Sequence, residues 1–322
     1  MNRPTVLVTR RLPEAVEAHL ARHYDVTLNL DDRPLARSEL IEALCRYDAL
    51  VPTITDRIDA ALIANPERRV RILANFGAGL DHIDLDAARS AGLTVTNTPD
   101  ALTEATAEIA ILLMLMAARR ASEGERELRR GAWTGWRPTH LVGQGLAGKT
   151  LGLVGFGRIA QSTAAKARAF GMNIAFFNRS TPPTAIATAL MAERVPTLEA
   201  LAARADVLSL HVPGGTDTRH LIDAALIRHL KPGMILVNTA RGTILDEEAV
   251  ADGLERGAIG AVALDVYAQE PMINPRLLAH PRSVLLPHLG SATIETRTAM
   301  GMQVAANLDA FFDNGQAPNR VA

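Results

Sequence analysis

The chain has 322 residues, which corresponds to about two domains at roughly 100–200 residues each. It carries 34 Lys and Arg against 35 Asp and Glu, so its net charge is −1 and no basic excess favours nucleic-acid binding. Hydrophobic residues make up 48% and charged residues 21%, which is typical of a globular chain. With Cys45 as the only cysteine, no disulfide is expected within the chain.

The apolar stretches are too short for a membrane protein. The longest run near the middle, residues 109–118, is about half of the ~20 residues that a bilayer span needs. The N-terminus lacks the long apolar stretch of a signal peptide. We therefore expect a soluble, cytoplasmic protein that binds neither membranes nor nucleic acid.

The first hundred residues alternate short β-branched runs with helical patterns. Predicted strands are Thr5–Thr9, Asp25–Asn29, Ala49–Pro52, Arg71–Asn75 and Thr94–Thr96, and predicted helices are Pro13–His23, Ser38–Arg46, Asp59–Asn65 and Asp86–Ala91. Strands that alternate with helices imply βαβ units and a parallel sheet. This part of the chain is predicted to be one doubly wound unit.

A long helical pattern, Asp100–Arg120, separates this unit from a second series of strands. It is apolar around nearly its whole circumference, which predicts burial between two domains or two subunits. After a polar stretch, six strands are predicted at Thr150–Val154, Asn173–Asn178, Val207–His211, Met234–Asn238, Ala261–Asp265 and Ser283–Leu286. The prolines at residues 181–184 predict a loop, and a last helix is predicted over Ala292–Phe312. Six strands with helices between them suffice for a dinucleotide-binding sheet.

A glycine-rich turn follows the strand at residue 150. Gly155, Gly157 and Ala160 form the pattern G-x-G-x-x-A before a predicted helix, Ile159–Phe170. Gly155 permits a tight turn, Gly157 lets the backbone approach a pyrophosphate, and the helix N-terminus presents free N–H groups. Alone, the pattern also fits a plain βα turn. The strand before it and the helix after it favour a dinucleotide site.

The residues at the end of the next strand predict which dinucleotide binds. The position that reads the ribose lies about 20 residues after the glycines and is Asp or Glu in NAD enzymes. Here Asn178 stands there, followed by Arg179 and Ser180. A carboxylate would repel a 2′-phosphate, whereas Arg179 can bind one. NADP(H) is therefore predicted in preference to NAD(H); the alternative is that Arg179 is a solvated loop residue.

Three titratable or charged residues at predicted strand ends form a candidate catalytic set. Arg241, Glu270 and His288 each follow an apolar run, which places them near the carboxyl edge of the sheet, where ligands of open α/β sheets bind. Taken singly, Arg241 fits a surface ion pair, Glu270 fits a loop carboxylate, and a lone histidine is more often structural.

The segments around these residues resemble the D-2-hydroxyacid dehydrogenase family. GFGRIA, NTARG, ALDVYAQEP and PHLGSAT occur in the family's order, and the resemblance covers essentially the whole chain. Within the family, Asn97–Thr103, Trp133–Trp136 and Ser291–Thr293 most resemble the glyoxylate/hydroxypyruvate reductases. Ala160 departs from the third glycine of many members, but it is nearly as small.

The resemblance implies a role for each matching position. His288 would protonate a keto oxygen, Glu270 would orient the imidazole, and Arg241 would bind the substrate carboxylate. Cofactor contacts are implied for Thr106, Gly155, Gly157, Arg158, Ile159, Asn178, Arg179, Ser180, Val212, Pro213, Thr239, Ala240, Asp265, His288 and Gly290. Substrate contacts are implied for Val51, Ala78, Gly79, Arg241, His288, Ser291 and Trp136, the last reaching the active site of a partner subunit. No metal is predicted.

A second glycine-rich turn, Asn75–Asp81, supports one of these contacts independently. Successive N–H groups at Ala78 and Gly79 can form an anion-binding concavity for a carboxylate, although the turn alone also fits a plain βα connection.

The predicted fold is α/β, with two doubly wound parallel-sheet domains. A Rossmann cofactor domain, residues 100–290, is inserted into a flavodoxin-like substrate domain, residues 1–99 and 291–322, with the active site in the cleft. The predicted function is NADPH-dependent reduction of glyoxylate to glycolate or hydroxypyruvate to D-glycerate by a homodimer. Alternatives are a D-lactate or phosphoglycerate dehydrogenase, or a cofactor-sensing corepressor that binds NADP(H) without turnover.

Overall fold

The structure is a computed structural model that describes residues 3–181 and 183–322. Its helices and strands follow in chain order. The elements of the first part are β1 (Thr5–Val8), α1 (Glu14–His23), β2 (Asp25–Leu28), α2 (Arg37–Arg46), β3 (Ala49–Val51), α3 (Ala60–Ile63), β4 (Ile72–Ala74), α4 (Leu85–Ser90), β5 (Thr94–Thr96), α5 (Thr103–Ala118) and α6 (Ala121–Arg129). Those of the remainder are β6 (Thr150–Val154), α7 (Arg158–Ala169), β7 (Asn173–Phe177), α8 (Thr184–Ala189), β8 (Ala192–Arg194), α9 (Leu198–Arg204), β9 (Val207–Leu210), α10 (Ala224–Ile227), β10 (Met234–Asn238), α11 (Glu247–Glu255), β11 (Ile259–Leu264), α12 (Pro275–Ala279), β12 (Ser283–Leu285) and α13 (Ile294–Asn314). The loop predicted at residues 181–184 includes Pro182, which lies outside the described residues, and Thr184 begins α8.

The chain divides into two compact units. The first unit comprises Met1–Leu102 and Ser291–Ala322, and the second comprises Thr103–Gly290. The first boundary falls where α5 begins, a few residues after the predicted one. Among the described residues, none of the helices has the length and apolar character needed to cross a bilayer.

The first unit is built on a five-stranded parallel sheet of order β2-β1-β3-β4-β5. Alternate side chains of β1 point to opposite faces, so Val6 and Val8 join one apolar core and Leu7 joins the other. Helices cover both faces, and α13 packs with α1 and β4. This is the doubly wound arrangement that the alternating pattern predicts.

The second unit is built on a seven-stranded parallel sheet of order β12-β11-β10-β9-β6-β7-β8. Its central strands are buried on both faces, as parallel strands covered by helices are. The order reverses beside β6, so the turn after β6 lies at the point where ligands of such sheets bind.

The prediction of six strands in this unit was wrong, because β8 adds a seventh. Its sequence is Ala-Glu-Arg, which lacks the β-branched run that marks a strand. It pairs only with β7 at the edge of the sheet, where polar side chains are tolerated.

The polar stretch after Arg120, for which the sequence predicts no helix, forms α6. Arg120 has a φ of 56° and ends the preceding helix, and the next nine residues form a second helix with none of them buried. Ion pairs of Arg120 with Glu123 and of Arg129 with Glu125 support it at one-turn spacing. The long predicted helix, Asp100–Arg120, is thus α5, and α6 is a further helix that the sequence did not predict.

Much of α5 is covered by its own unit, while burial between two domains or two subunits stays a prediction. This helix packs on α7 and on β10, β11 and β12 of its own unit, which covers most of its apolar surface. Leu112 remains 43% exposed on the opposite side. Packing within the second unit thus covers most of the apolar surface of α5.

Several helices begin at a side chain that caps their first turn. The caps are Asp59, Asp84, Thr197, Asp223, Asp246 and Thr293, each accepting a hydrogen bond from the N–H three residues on. A capped N-terminus satisfies an N–H group that would otherwise lack a partner. The N-terminus of α7, described below, has no such side chain.

Candidate active site

His288 and Glu270 form a hydrogen-bonded pair in the second unit. Nδ1 of His288 lies 2.9 Å from Oε2 of Glu270, and each side chain is about one-third exposed, at 33% and 32%. The histidine has a φ of 56°, and its backbone N–H donates to the carbonyl oxygen of Asp265 at 2.9 Å. One ring nitrogen is therefore held by protein, which leaves Nε2 for another partner.

The Glu270 carboxylate is stabilised in its charged form. Burial raises its pKa, but the hydrogen bond and charge of His288, the N–H of Tyr267 and the charge of Arg241 together hold the pKa below its ordinary value. The Tyr267 N–H donates to Oε1 at 3.0 Å. Glu270 is thus ionised at neutral pH, and its negative charge lies beside the His288 ring.

Arg241 follows β10 in a turn that Asn238 holds in place. The amide oxygen of Asn238 accepts from the N–H of Ala240 at 3.0 Å, and its NH₂ donates to the carbonyl of Arg241 at 2.9 Å. The guanidinium donates through Nη1 to the carbonyl of Ala240 at 2.7 Å. Gly242, the residue after Arg241, lies against the backbone of Tyr267, and the charge of Arg241 acts to lower the pKa of Glu270, so the three predicted catalytic residues lie in one region of the second unit.

Gly242 is a residue of this region that sequence reasoning missed. A Cβ atom there would lie 1.8 Å from the carbonyl carbon of Tyr267. Only glycine lets the turn carrying Arg241 pass against the loop that leads to Glu270. The only signal for Gly242 in the sequence is its position directly after Arg241. Its close approach to the backbone of Tyr267 joins two segments that are distant in sequence.

Asp265 supports the loop that carries His288. It is fully buried, and its two carboxylate oxygens accept from the N–H groups of Leu289 at 2.6 Å and Gly290 at 2.7 Å. Burial raises its pKa above the ordinary value, although these two N–H groups and the charge of His288 act in the opposite direction. Its oxygens are used within the protein, so its predicted contact with a cofactor stays a prediction.

Thr106 and Gly290 complete this cluster. The Thr106 hydroxyl donates to the carbonyl of Gly290 at 3.1 Å. A Cβ at Gly290 would lie 3.3 Å from Oδ2 of Asp265 and 3.4 Å from Oγ1 of Thr106, so the position favours glycine. Three residues predicted to contact the cofactor are thus brought together.

The glycine-rich turn after β6 has the geometry that a pyrophosphate site needs. Gly155 has a φ of 90°, and a Cβ there would lie 2.7 Å from the carbonyl oxygen of His211. At Gly157 a Cβ would meet no described atom within 4 Å, and no described side chain caps the first turn of α7, which begins at Arg158 and Ile159. Ala160 is fully buried, in line with the close packing expected there. Open space beside uncapped N–H groups fits a bound phosphate group.

The neighbouring loops carry the other predicted cofactor residues. Val212 touches the Gly155 turn, and the carbonyl of Pro213 accepts a hydrogen bond from Thr218. Oγ1 of Thr239, beside Ala240, is buried with no hydrogen-bond partner among the described residues. Burial lowers the pKa of His211 to about 4, so its ring is neutral and adds no charge to this loop. The unpartnered hydroxyl of Thr239 at this strand end fits a site that binds a dinucleotide.

The predicted ribose-reading residues form an ordered turn after β7. Oδ1 of Asn178 accepts from the N–H of Phe156 at 3.1 Å, and its NH₂ donates to the carbonyl and hydroxyl of Ser180. Arg179 is exposed and pairs with Asp217 at 2.9 Å. Asn178 therefore links the glycine-rich turn to the segment that carries Arg179.

In the first unit, the turn after β4 presents two N–H groups. Asn75 donates to the carbonyls of Gly77 at 2.9 Å and Gly79 at 3.1 Å, and Asn97 donates to the carbonyl of Ala78 at 2.9 Å. Among the described residues, none accepts a hydrogen bond from the N–H of Ala78 or Gly79. This arrangement fits the predicted anion-binding turn.

Two further predicted substrate residues of this unit behave differently. Ser291 is partly exposed at the start of the segment that leads into α13. Val51 is fully buried in the core with Val8 and Ile72, so its contact with a substrate stays a prediction. Its burial follows from the place of β3 in the middle of the sheet.

Trp133 and Trp136 lie in the loop between α6 and β6. Their exposed fractions are 52% and 83%. Neither therefore forms the small local core that such a pair of tryptophans could make, and Trp136 leaves most of its aromatic surface in contact with solvent.

Known proteins are similar to this chain in sequence and in fold. Residues 111–290 match the model of the D-isomer specific 2-hydroxyacid dehydrogenase NAD binding domain. The chain is 40% identical over 323 residues to a glyoxylate reductase of Thermococcus litoralis, covering 99% of this chain and 97% of the relative. It is 44% identical over 328 residues to a glyoxylate reductase of Aeropyrum pernix, covering 100% of this chain and 96% of the relative.

A solved structure is similar over the same length. An NADPH-dependent glyoxylate/hydroxypyruvate reductase from Sinorhizobium meliloti, in complex with NADP and malonate, superposes with a TM-score of 0.86 at 33% identity. The match covers 100% of this chain and 97% of that chain. The fold and the site define the class of this protein. It is a two-domain oxidoreductase with an NAD-binding domain. The chain belongs to the D-isomer-specific 2-hydroxyacid dehydrogenase family.

Proposed function

We propose that this enzyme reduces small 2-keto acids with NADPH, converting glyoxylate to glycolate and hydroxypyruvate to D-glycerate. The observation that carries the proposal is the 2.9 Å pair of His288 and Glu270, with Arg241 close enough for its charge to lower the Glu270 pKa. The choice of substrate rests on the names of the relatives, glyoxylate reductases at 40% and 44% identity.

Each of the three residues has one task in this reaction. A nicotinamide cofactor, when bound, supplies the hydride. Arg241 binds the substrate carboxylate through its guanidinium fork and orients the keto carbon. His288 gives a proton from Nε2 to the keto oxygen as that oxygen gains negative charge. Glu270 holds Nδ1 and stabilises the protonated ring until the transfer occurs.

The cofactor would lie along the residues of the second unit described above. The first turn of α7, at Gly157, Arg158 and Ile159, would bind the pyrophosphate. Asn178 replaces the carboxylate that would repel a 2′-phosphate, while Arg179 and Ser180 offer it a guanidinium and a hydroxyl. The NADPH dependence of the Sinorhizobium meliloti relative supports the same preference here.

The remaining contacts complete the proposal. Thr106, Val212, Pro213, Thr239, Ala240, Asp265 and Gly290 are proposed cofactor neighbours, and Ala78, Gly79 and Ser291 proposed substrate neighbours. We also propose a homodimer in which Trp136 reaches the site of the partner subunit. A tryptophan that is 83% exposed supports this, because large exposed aromatic surfaces mark interaction sites. The cytoplasmic location remains a prediction from the sequence.

The test is NADPH oxidation with glyoxylate, hydroxypyruvate, pyruvate and 3-phosphohydroxypyruvate, each compared by kcat/KM. We expect glyoxylate and hydroxypyruvate to be the best substrates. A preference for pyruvate would assign a D-lactate type and a preference for the phosphorylated acid a phosphoglycerate type. Binding of NADPH without turnover of any of the four would assign a cofactor-sensing protein.

A further inference from the structure

Arg179, which the proposed function assigns to the 2′-phosphate, faces a competing carboxylate. Its Nη1 lies 2.9 Å from Oδ2 of Asp217, and the two side chains are 73% and 75% exposed. Asp217 belongs to a 3₁₀ turn, Thr216–Thr218, in the loop after β9. Asp217, which is distant in sequence, thus places a carboxylate beside the guanidinium that would bind the 2′-phosphate of NADPH.

The rest of this region is held in a fixed conformation. On the other side of the turn, Arg194 of β8 donates to the carbonyl of Asn178 at 3.1 Å and to the hydroxyl of Thr181 at 3.0 Å. Asn178 in turn holds Ser180 and the glycine-rich turn. Arg194 and Asn178 therefore fix the backbone that carries Arg179. Within the part of the chain that the structure describes, the Arg179 side chain forms one ion pair, the exposed one with Asp217.

Asp217 and the 2′-phosphate of NADPH compete for the Arg179 guanidinium. A phosphate monoester carries a charge of about −1.5 to −2 at neutral pH, so it is repelled by Asp217 and attracted by Arg179. Asp217 already accepts a hydrogen bond from Nη1 of Arg179, so a phosphate that binds the same guanidinium competes with it. An exposed ion pair is weak and exchanges readily, so NADPH can displace Asp217 but loses part of its binding free energy in doing so. NADH has no 2′-phosphate and leaves the pair intact.

We propose that Asp217 determines cofactor selectivity, competing with the 2′-phosphate for Arg179 and so reducing the preference for NADPH over NADH. This inference rests on the proposed function, because it requires Arg179 to bind the 2′-phosphate. Asp217 could not be identified from its spacing to the glycine-rich turn.

The experiment is a calorimetric measurement of Kd for NADP⁺ and NAD⁺ without substrate, so that catalysis does not enter. In Asp217→Asn we expect NADP⁺ to bind about threefold more tightly, with NAD⁺ changed by less than about twofold. The gain should shrink as salt is raised, since exposed charges are screened. The matched control is Asp86→Asn, which removes the carboxylate of the exposed Arg89–Asp86 pair in the first unit and should change neither Kd.

Two further variants separate this inference from the proposed function. Arg179→Ala alone should weaken NADP⁺ selectively, and in that background Asp217→Asn should no longer tighten NADP⁺. If Arg179→Ala is selective but Asp217→Asn leaves NADP⁺ unchanged, or shifts both cofactors equally, the role of Asp217 is overturned and the role of Arg179 stands. If Arg179→Ala leaves the ratio of the two Kd values unchanged, both assignments fail.

Discussion

Oε2 of Glu270 lies 2.9 Å from Nδ1 of His288, although the two residues are 18 positions apart in the chain. The carboxylate is kept ionised, because its interactions with His288, Tyr267 and Arg241 outweigh the effect of burial on its pKa. The pair is held at both ends by backbone contacts, from Tyr267 to Glu270 and from His288 to Asp265. An imidazole fixed in this way is suited to hold a proton on the ring nitrogen that faces away from Glu270.

Replacing His288 by Gln removes the proposed proton donor but keeps a polar side chain. We expect kcat for glyoxylate reduction to fall by about 10²–10⁴-fold, the usual contribution of general acid catalysis. The Kd for NADPH should change little, because the pyrophosphate and ribose residues are untouched. His229→Gln, at an exposed position, is the control and should retain full activity. Full activity of His288→Gln would remove the histidine from the mechanism.

Replacing Arg241 by Lys keeps the positive charge but loses the planar fork. We expect KM for glyoxylate to rise about tenfold or more, because a lysine cannot bind a carboxylate through two parallel N–H groups. Steady-state kinetics at saturating NADPH measure this, with Arg228→Lys at an exposed position as the control. An unchanged KM would mean that Arg241 does not bind the substrate carboxylate.

The two glycines of the cofactor turn should respond differently to alanine. Gly155→Ala forces a side chain into a backbone with φ of 90° and within 2.7 Å of the His211 carbonyl, so the free energy of unfolding should fall by about 1–3 kcal/mol. Gly157→Ala meets open space, so it should fold normally but bind NADPH more weakly.

Thermal unfolding and cofactor titration of both variants distinguish these effects. Each variant serves as the control of the other, since both add one methyl group to the same turn. Equal loss of stability in the two would contradict the geometry of the turn. Unchanged NADPH binding in Gly157→Ala would contradict a pyrophosphate beside that residue.

Much of the fold follows from local sequence. The strand runs, the glycine-rich turn and the residues after strand ends are local signals, and they predicted both sheets and the region where Arg241, Glu270 and His288 meet. The edge strand β8 was missed because Ala-Glu-Arg is partly buried at most and carries no β pattern. A helix without buried residues, α6, was missed because no apolar stripe marks it.

The rest depends on contacts between segments that are distant in sequence. Asp217 meets Arg179 across 38 positions, and the burial of Val51 follows from its place in the middle of the sheet. The need for glycine at Gly242 arises from the backbone of Tyr267. No periodicity or spacing reports such contacts, because they exist only once the chain has folded.

The pH dependence of reduction by Glu270→Gln tests the central claim most directly. Reduction uses the protonated imidazole, so kcat/KM for glyoxylate falls as pH rises and the ring loses its proton. The pKa of Glu270 is lowered, so its negative charge is present across the neutral range and holds that proton. Without the charge, the fall should occur at lower pH, while Glu255→Gln, whose partner is Arg276, should not move it. Suppose that Glu270→Gln is folded and binds NADPH but that its kcat/KM falls at the same pH as that of the unmodified enzyme. Glu270 is then not the partner that stabilises the proton on His288.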